Sequence, residues 1–174
     1  YYNGKMDDIR LFDRTITQAE IAHLGIARGV GGPSRGEGLG GESLWICPSI
    51  TNTKDDISGH NFTATLNGGM SIVSDTSNGG SKCFQFDGVD DYVSTNMQTE
   101  ASFLSSSGKW SIGAWVQFDD GSSTASQGIV GTSVGSSGYG FNLWMSVLSE
   151  GLRGDVADGS YLCYPSEGSA WPDS

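Results

Sequence analysis

Three stretches of this chain alternate apolar and polar residues with a period of two, and no other feature limits its fold as much. Leu44, Ile46, Pro48 and Ile50 share one parity, Trp110, Ile112, Ala114, Val116 and Phe118 a second, and Tyr139, Phe141, Leu143, Met145 and Val147 a third. Successive side chains of a strand point to opposite faces, so each run reads as a half-buried antiparallel strand with its apolar side on a core. Clusters of Gly, Ser, Asn and Asp bound the runs, as turns require. Pro48 cannot donate to a ladder and predicts a bulge or an edge in the first run. Asn67-Gly68 and Asp87-Gly88 supply residues that tolerate positive φ at turns. The pattern predicts an all-β, antiparallel fold.

Composition narrows what such a fold can do. The chain has 174 residues, enough for one core and a fragment of another. Its 27 glycines and only 17% charged residues suit a loop-rich β protein. A formal charge of −11 with nine Lys plus Arg excludes a general grip on nucleic acid, which needs clustered cations to displace counterions. Acidity of this kind keeps a protein soluble, or gathers carboxylates at loops for a hard cation such as calcium. No apolar run approaches the roughly 20 residues of a membrane helix, so membrane insertion through helices is not expected. Cys47, Cys83 and Cys163 are too few and too far apart for a zinc ribbon or a disulfide scaffold. They read as small buried apolar residues, although an oxidising compartment would allow one Cys47–Cys83 bridge.

The N-terminal residues form a unit of their own. Met6 to Phe12 alternates, which places Asp7, Ile9 and Leu11 on one face. Thr17-Gln18-Ala19-Glu20 is a capping box, and Ile21 and Leu24 make the apolar stripe of a short helix. From Gly25 to Glu42, eight glycines and Pro33 leave little apolar surface to repay ordering, so this stretch reads as a linker. The chain opens in mid-motif without an initiating Met, so an earlier part is expected to precede it.

Tyr1–Leu24, with Gly4-Lys5-Met6-Asp7-Asp8-Ile9-Arg10-Leu11-Phe12, resembles the closing strand and helix of laminin-G-like, concanavalin-A-like jelly-roll domains. Ser43–Phe118 resembles the opening of a second such domain. Ser43–Ile50 stands as its first strand, Asp56-Ile57-Ser58-Gly59-His60-Asn61 as its first loop, and Phe84-Gln85-Phe86-Asp87-Gly88-Val89-Asp90-Asp91-Tyr92-Val93 as its signature strand pair. The resemblance implies a two-sheet jelly-roll sandwich, concanavalin A-like, with one short helix after the N-terminal strand. It divides the chain into a closing element (1–24), a linker (25–42) and the first part of a following domain (43–174). The family next has a strand like W-H-H-V-A and an arm like Y-V-D-G, and neither occurs before Ser174. Either the chain is an excerpt, or Tyr1–Leu24 fills the closing place by permutation or swapping. The adjacency of first and closing strands predicts that Lys5–Phe12 lies in the same environment as Ser43–Ile50, in one chain or between copies.

Function is then expected to be non-catalytic: a binding, adhesion or structural module in a multi-repeat extracellular, cell-surface or virion protein. Its partner would be a protein or glycan ligand, or neighbouring copies of itself. The alternative is a carbohydrate-active enzyme, or a lectin module of one. Glycosidases on such sandwiches carry two close carboxylates on a strand, whereas Glu20, Glu37, Glu42, Glu100, Glu150 and Glu167 are isolated. His23 and His60 stand near no Ser or Cys in a nucleophile context.

The candidate metal ligands are Asp56, Asp7 and Asp8. The Asp56 loop resembles D-x-S-G-N, which in some members of the family helps bind calcium, so the resemblance implies a structural calcium ion there. The plainer role for Asp56 is an Asx-turn. Asp87, Asp90 and Asp91 flank a Gly turn, where they are expected to hold a hairpin through side-chain-to-backbone bonds. Trp45, Trp115 and Trp144 lie opposite the apolar residues of their strands and are the candidate sugar platforms, against the plainer role of filling space. Asn61-Phe62-Thr63 fits the glycosylation pattern.

Overall fold

The computed structural model describes residues 1–26, 38–51, 53–75, 81–97, 109–119, 127–131, 139–146, 151–158 and 162–163. These form mostly antiparallel β-structure with two short helices. Strand β1 (Asn3–Phe12) is central to the largest sheet. Along one side it meets β7 (Ser111–Phe118) over nearly its whole length. On the other it meets two strands in turn: β5 (Ser81–Asp87) opposite its first half and β2 (Glu42–Ile46) opposite its second. β4 (Ser71–Asp75) extends the sheet beyond β5. The expected adjacency is therefore met within one chain, with Ile9 opposite Ile46 and Leu11 opposite Leu44.

The change of partner along β1 coincides with a bulge. Asp8 has φ 51°, and the register with β7 slips between Asp7 and Arg10. An extra residue in one strand reverses the parity beyond it. Met6, Ile9 and Leu11 consequently share the core, whereas Asp7 does not lie on the face of Ile9 and Leu11 as strict alternation requires. Aspartate tolerates the left-handed backbone this needs. Nearer the N-terminus, Gly4 has φ 141°, and a Cβ there would run into the Gln117 carbonyl of β7.

The first alternating run also ends early. β2 stops at Ile46, and Pro48 opens the single-turn helix α2 (Pro48–Thr51), where its missing N–H costs nothing. Ile50 and Thr51 both donate to the Cys47 carbonyl. Helix α1 (Gln18–Ile26) begins as its capping box predicts: Glu20 N donates to Thr17 Oγ1 at 3.2 Å, and Thr17 N to Glu20 Oε2 at 2.7 Å. The predicted linker falls largely on 27–37, outside the described residues; of its described ends, Gly25 and Ile26 belong to α1 and Glu42 to β2, while 38–41 lie outside helix and strand.

Two smaller sheets complete the structure. One pairs β3 (Ala64–Asn67) with β6 (Tyr92–Thr95). The other runs β11 (Leu162–Cys163), β10 (Gly151–Asp158), β9 (Tyr139–Ser146), β8 (Gln127–Gly131). Phe84–Val93 does not form the expected hairpin, since β5 pairs with β1 and β4 while β6 pairs with β3. Instead, β3–β4 and β5–β6 are the two arms of one ribbon, bent where it passes from the large sheet to the small one. The turns at the bend touch, and a Cβ on Gly68 would lie 2.5 Å from the Asp90 carbonyl oxygen.

All three sheets contribute to one core. Tyr2, Met6, Ile9, Leu11, Leu44, Ile46, Phe84 and Phe86 from the large sheet meet Ala64 and Phe141, with Ile112, Ala114, Val116 and Phe118 of β7 packed against them. The predicted parity of the second run thus faces the core. Val147, last of the third run, lies outside the described residues. Burying a side chain such as Phe84, which is 0% exposed, contributes about 1.5–3 kcal/mol.

Candidate functional site

The bulge in β1 organises a polar cluster on the face of the large sheet away from the core. Asp8 Oδ1 accepts Arg10 Nε at 2.8 Å and Trp45 Nε1 at 2.7 Å, and Asp8 Oδ2 accepts Arg10 Nη2 at 3.2 Å. Arg10 Nη1 reaches Glu42 Oε1 at 3.3 Å, and its guanidinium lies 4.0 Å from the centre of the Trp45 ring. Arg10 and Trp45 are opposite one another in register, which is why the stack forms. Arg10 is 3% exposed, and the two carboxylates and the indole compensate for burying its charge. Asp7 Oδ1 accepts Ser49 N at 3.3 Å and faces Cys47 Sγ at 3.7 Å. Burial, then the nearby Asp7 and Asp8 charges, push the Cys47 thiol up to about 12. Cys47 and Cys83 are buried, and no bridge joins them.

The Asp56 loop sits against the end of β2. Asp56 Oδ1 accepts Trp45 N at 2.9 Å and Ser58 N at 3.0 Å, while Oδ2 accepts Ser58 Oγ at 2.9 Å and Phe62 N at 3.1 Å. Burial pushes its carboxyl up, but the Trp45, Ser58 and Phe62 amides and the Ser58 hydroxyl outweigh it and hold the group below its ordinary value. Four donors fill the lone-pair directions of one carboxylate. Asp56 is thus the pin of an Asx-type loop, while Asp8 is held by Arg10 and Trp45 and Asp7 by the Ser49 amide, so the three candidate ligands are each engaged by protein donors.

A third acidic group lies at the ribbon's bend. One carboxylate oxygen each from Asp87, Asp90 and Asp91 falls within 4.8 Å of the others, the only such group of three among the described residues. Asp87 N donates to Asp91 Oδ2 at 2.9 Å and Val89 N to Asp87 Oδ1 at 2.8 Å. Asp91 is 6% exposed and its Oδ1 has no hydrogen-bond partner among the described residues.

The candidate tryptophans separate. Trp45 is 6% exposed beneath Arg10 and has no open ring face, so it is a packing residue rather than a platform. Trp144 lines the space between the sheets with Leu143 and Phe141. Trp115, opposite Asp7, lines a cleft of about 600 Å³ between α1 and β7, together with Trp110, Ile16, Ile21, Leu24, Asp8 and Arg10. Among the described residues Asp8 is the one carboxylate lining that cleft, and it is paired with Arg10. Sequence reasoning missed Arg10, the hub of the polar cluster. Its one signal was a cation within an otherwise alternating strand next to two aspartates.

Among the described residues no helix is long and apolar enough to cross a membrane. No family model matches the chain, and no curated protein or solved structure matches it.

Proposed function

We propose that this chain is a non-catalytic binding module with a laminin-G-like jelly-roll sandwich, belonging to a multi-repeat extracellular, cell-surface or virion protein. The α1–β7 cleft carries this reading. Its lining joins two indoles and aliphatic side chains to the Asp8–Arg10 pair, of which Arg10 is buried and Asp8 partly exposed, a mixture suited to a ligand with apolar and hydroxyl-bearing faces. Glycosidic hydrolysis uses two carboxylates across the scissile bond, whereas Asp8 stands here neutralised by a guanidinium. A protein ligand or a neighbouring copy would use the same cleft. The second reading, a carbohydrate-binding module of an enzyme, is favoured by Trp115, because an indole face stacks on sugar rings.

A glycan array combined with a hydrolysis screen tests both. Saturable binding that Trp115→Ala abolishes without lowering the melting temperature supports a glycan ligand in the cleft. Turnover of any oligosaccharide overturns the non-catalytic reading.

A further inference from the structure

We propose that the bend between β5 and β6 is a binding site for a hard divalent cation of the calcium class, held by Asp87, Asp90 and Asp91. Three carboxylates share a space in which their oxygens lie within 4.8 Å of one another. None of the three is in an ion pair among the described residues. Like charges this close repel unless a cation lies between them. Calcium takes oxygen ligands at about 2.4 Å, so any two ligands of one ion lie at most roughly 4.8 Å apart, a limit that these three oxygens meet.

Asp91 supplies the second and independent argument. It is 6% exposed, and the Asp87 amide holds one of its oxygens at 2.9 Å. Its Oδ1 is buried with no donor among the described residues, a costly state for a carboxylate oxygen. A bound cation would remove that cost. Asp56 differs in kind, since four donors already surround its carboxylate.

The ion would stiffen the corner at which the ribbon leaves the large sheet. The Gly68 turn of the opposite arm rests on the Asp90 backbone, so fixing the Asp87–Asp91 loop fixes both arms. This site and the α1–β7 cleft share no residue, so either proposal can fail alone.

Terbium luminescence offers a direct test on the whole chain. Tyr92, next to Asp91 in sequence and 49% exposed, supplies the sensitising phenol. Excitation of tyrosine should give saturable terbium emission that calcium displaces. Asp90→Asn changes an exposed side chain and should keep the fold while weakening terbium and calcium binding about tenfold or more, because one full ligand charge is withdrawn. Asp91→Asn should do the same, whereas Asp56→Asn should leave the affinity unchanged. Wild-type emission that does not saturate, or an affinity unaltered in folded Asp90→Asn, overturns the site.

Discussion

Single side chains in this protein do most of their work on backbone groups. Asp56 is the clearest case, because three backbone amides and one hydroxyl converge on it. Asp56→Ala should cost about 2–3 kcal/mol in urea unfolding, the expected loss when donors to a charged, partly exposed acceptor are stranded. The same loss should appear in calcium and in chelator, since those donors and not an ion hold the loop. Its folded carboxyl titrates below the ordinary value. The stability it contributes is therefore complete above the unfolded value near 4, and is lost as pH falls through the folded one. Asp56→Asn should flatten that acid limb, and a limb as steep as wild type would move the effect to another carboxylate. Cys47 gives a second test at this scale. With its thiol pushed up to about 12, it should resist iodoacetamide at pH 8 in the native protein and react once urea unfolds it. Mass spectrometry of the alkylated peptide reads this directly.

At the scale of elements, β1 explains both what the sequence disclosed and what it hid. The start of the helix after it was legible to the residue, because a capping box is a local device whose partners lie three positions apart, whereas its end was not, since Gly25 and Ile26, read as linker, belong to it. The second alternating run likewise became β7, with its apolar side on the core. The bulge at Asp8 was not legible. Alternation assumes one residue per step, and only the crowding of β5, β2 and β7 around β1 reveals the extra one. The same omission hid Arg10, whose face depends on that step. Phe84–Val93 misled for a related reason: two strands joined by a short Gly turn read as a hairpin, yet here the turn is a corner between sheets. Because β1 has strands on both sides, deleting residues 1–24 should expose the edges of β2, β5 and β7 together. Aggregation, or a melting temperature lower by at least ten degrees or so, is expected for a loss of several kcal/mol. A truncated chain that stays soluble and melts like the full one would remove β1 from the working fold.

Over the whole molecule, three sheets share one core, and the candidate sites sit at its margins: a cleft beside β7 and an acidic corner at the ribbon's bend. Phe84, fully buried at the centre, should cost about 3–5 kcal/mol on replacement by alanine, measured by denaturant unfolding. The placement of β1 also has a consequence in time. Met6 lies opposite Phe84 and Gly4 opposite Phe118, so β1 is made well before two of the strands it pairs with. At about 5–20 residues per second, it waits some 5–20 s on the ribosome with an apolar face uncovered. The ribbon of β3 to β6 pairs over shorter separations and is the natural place for folding to begin. In kinetic experiments, substitutions in the ribbon should slow refolding, while Ile9→Val and Leu11→Ala in β1 should chiefly hasten unfolding. A strand that holds the sheet together in the finished protein thus leaves an apolar face uncovered on the nascent chain until β7 has been made.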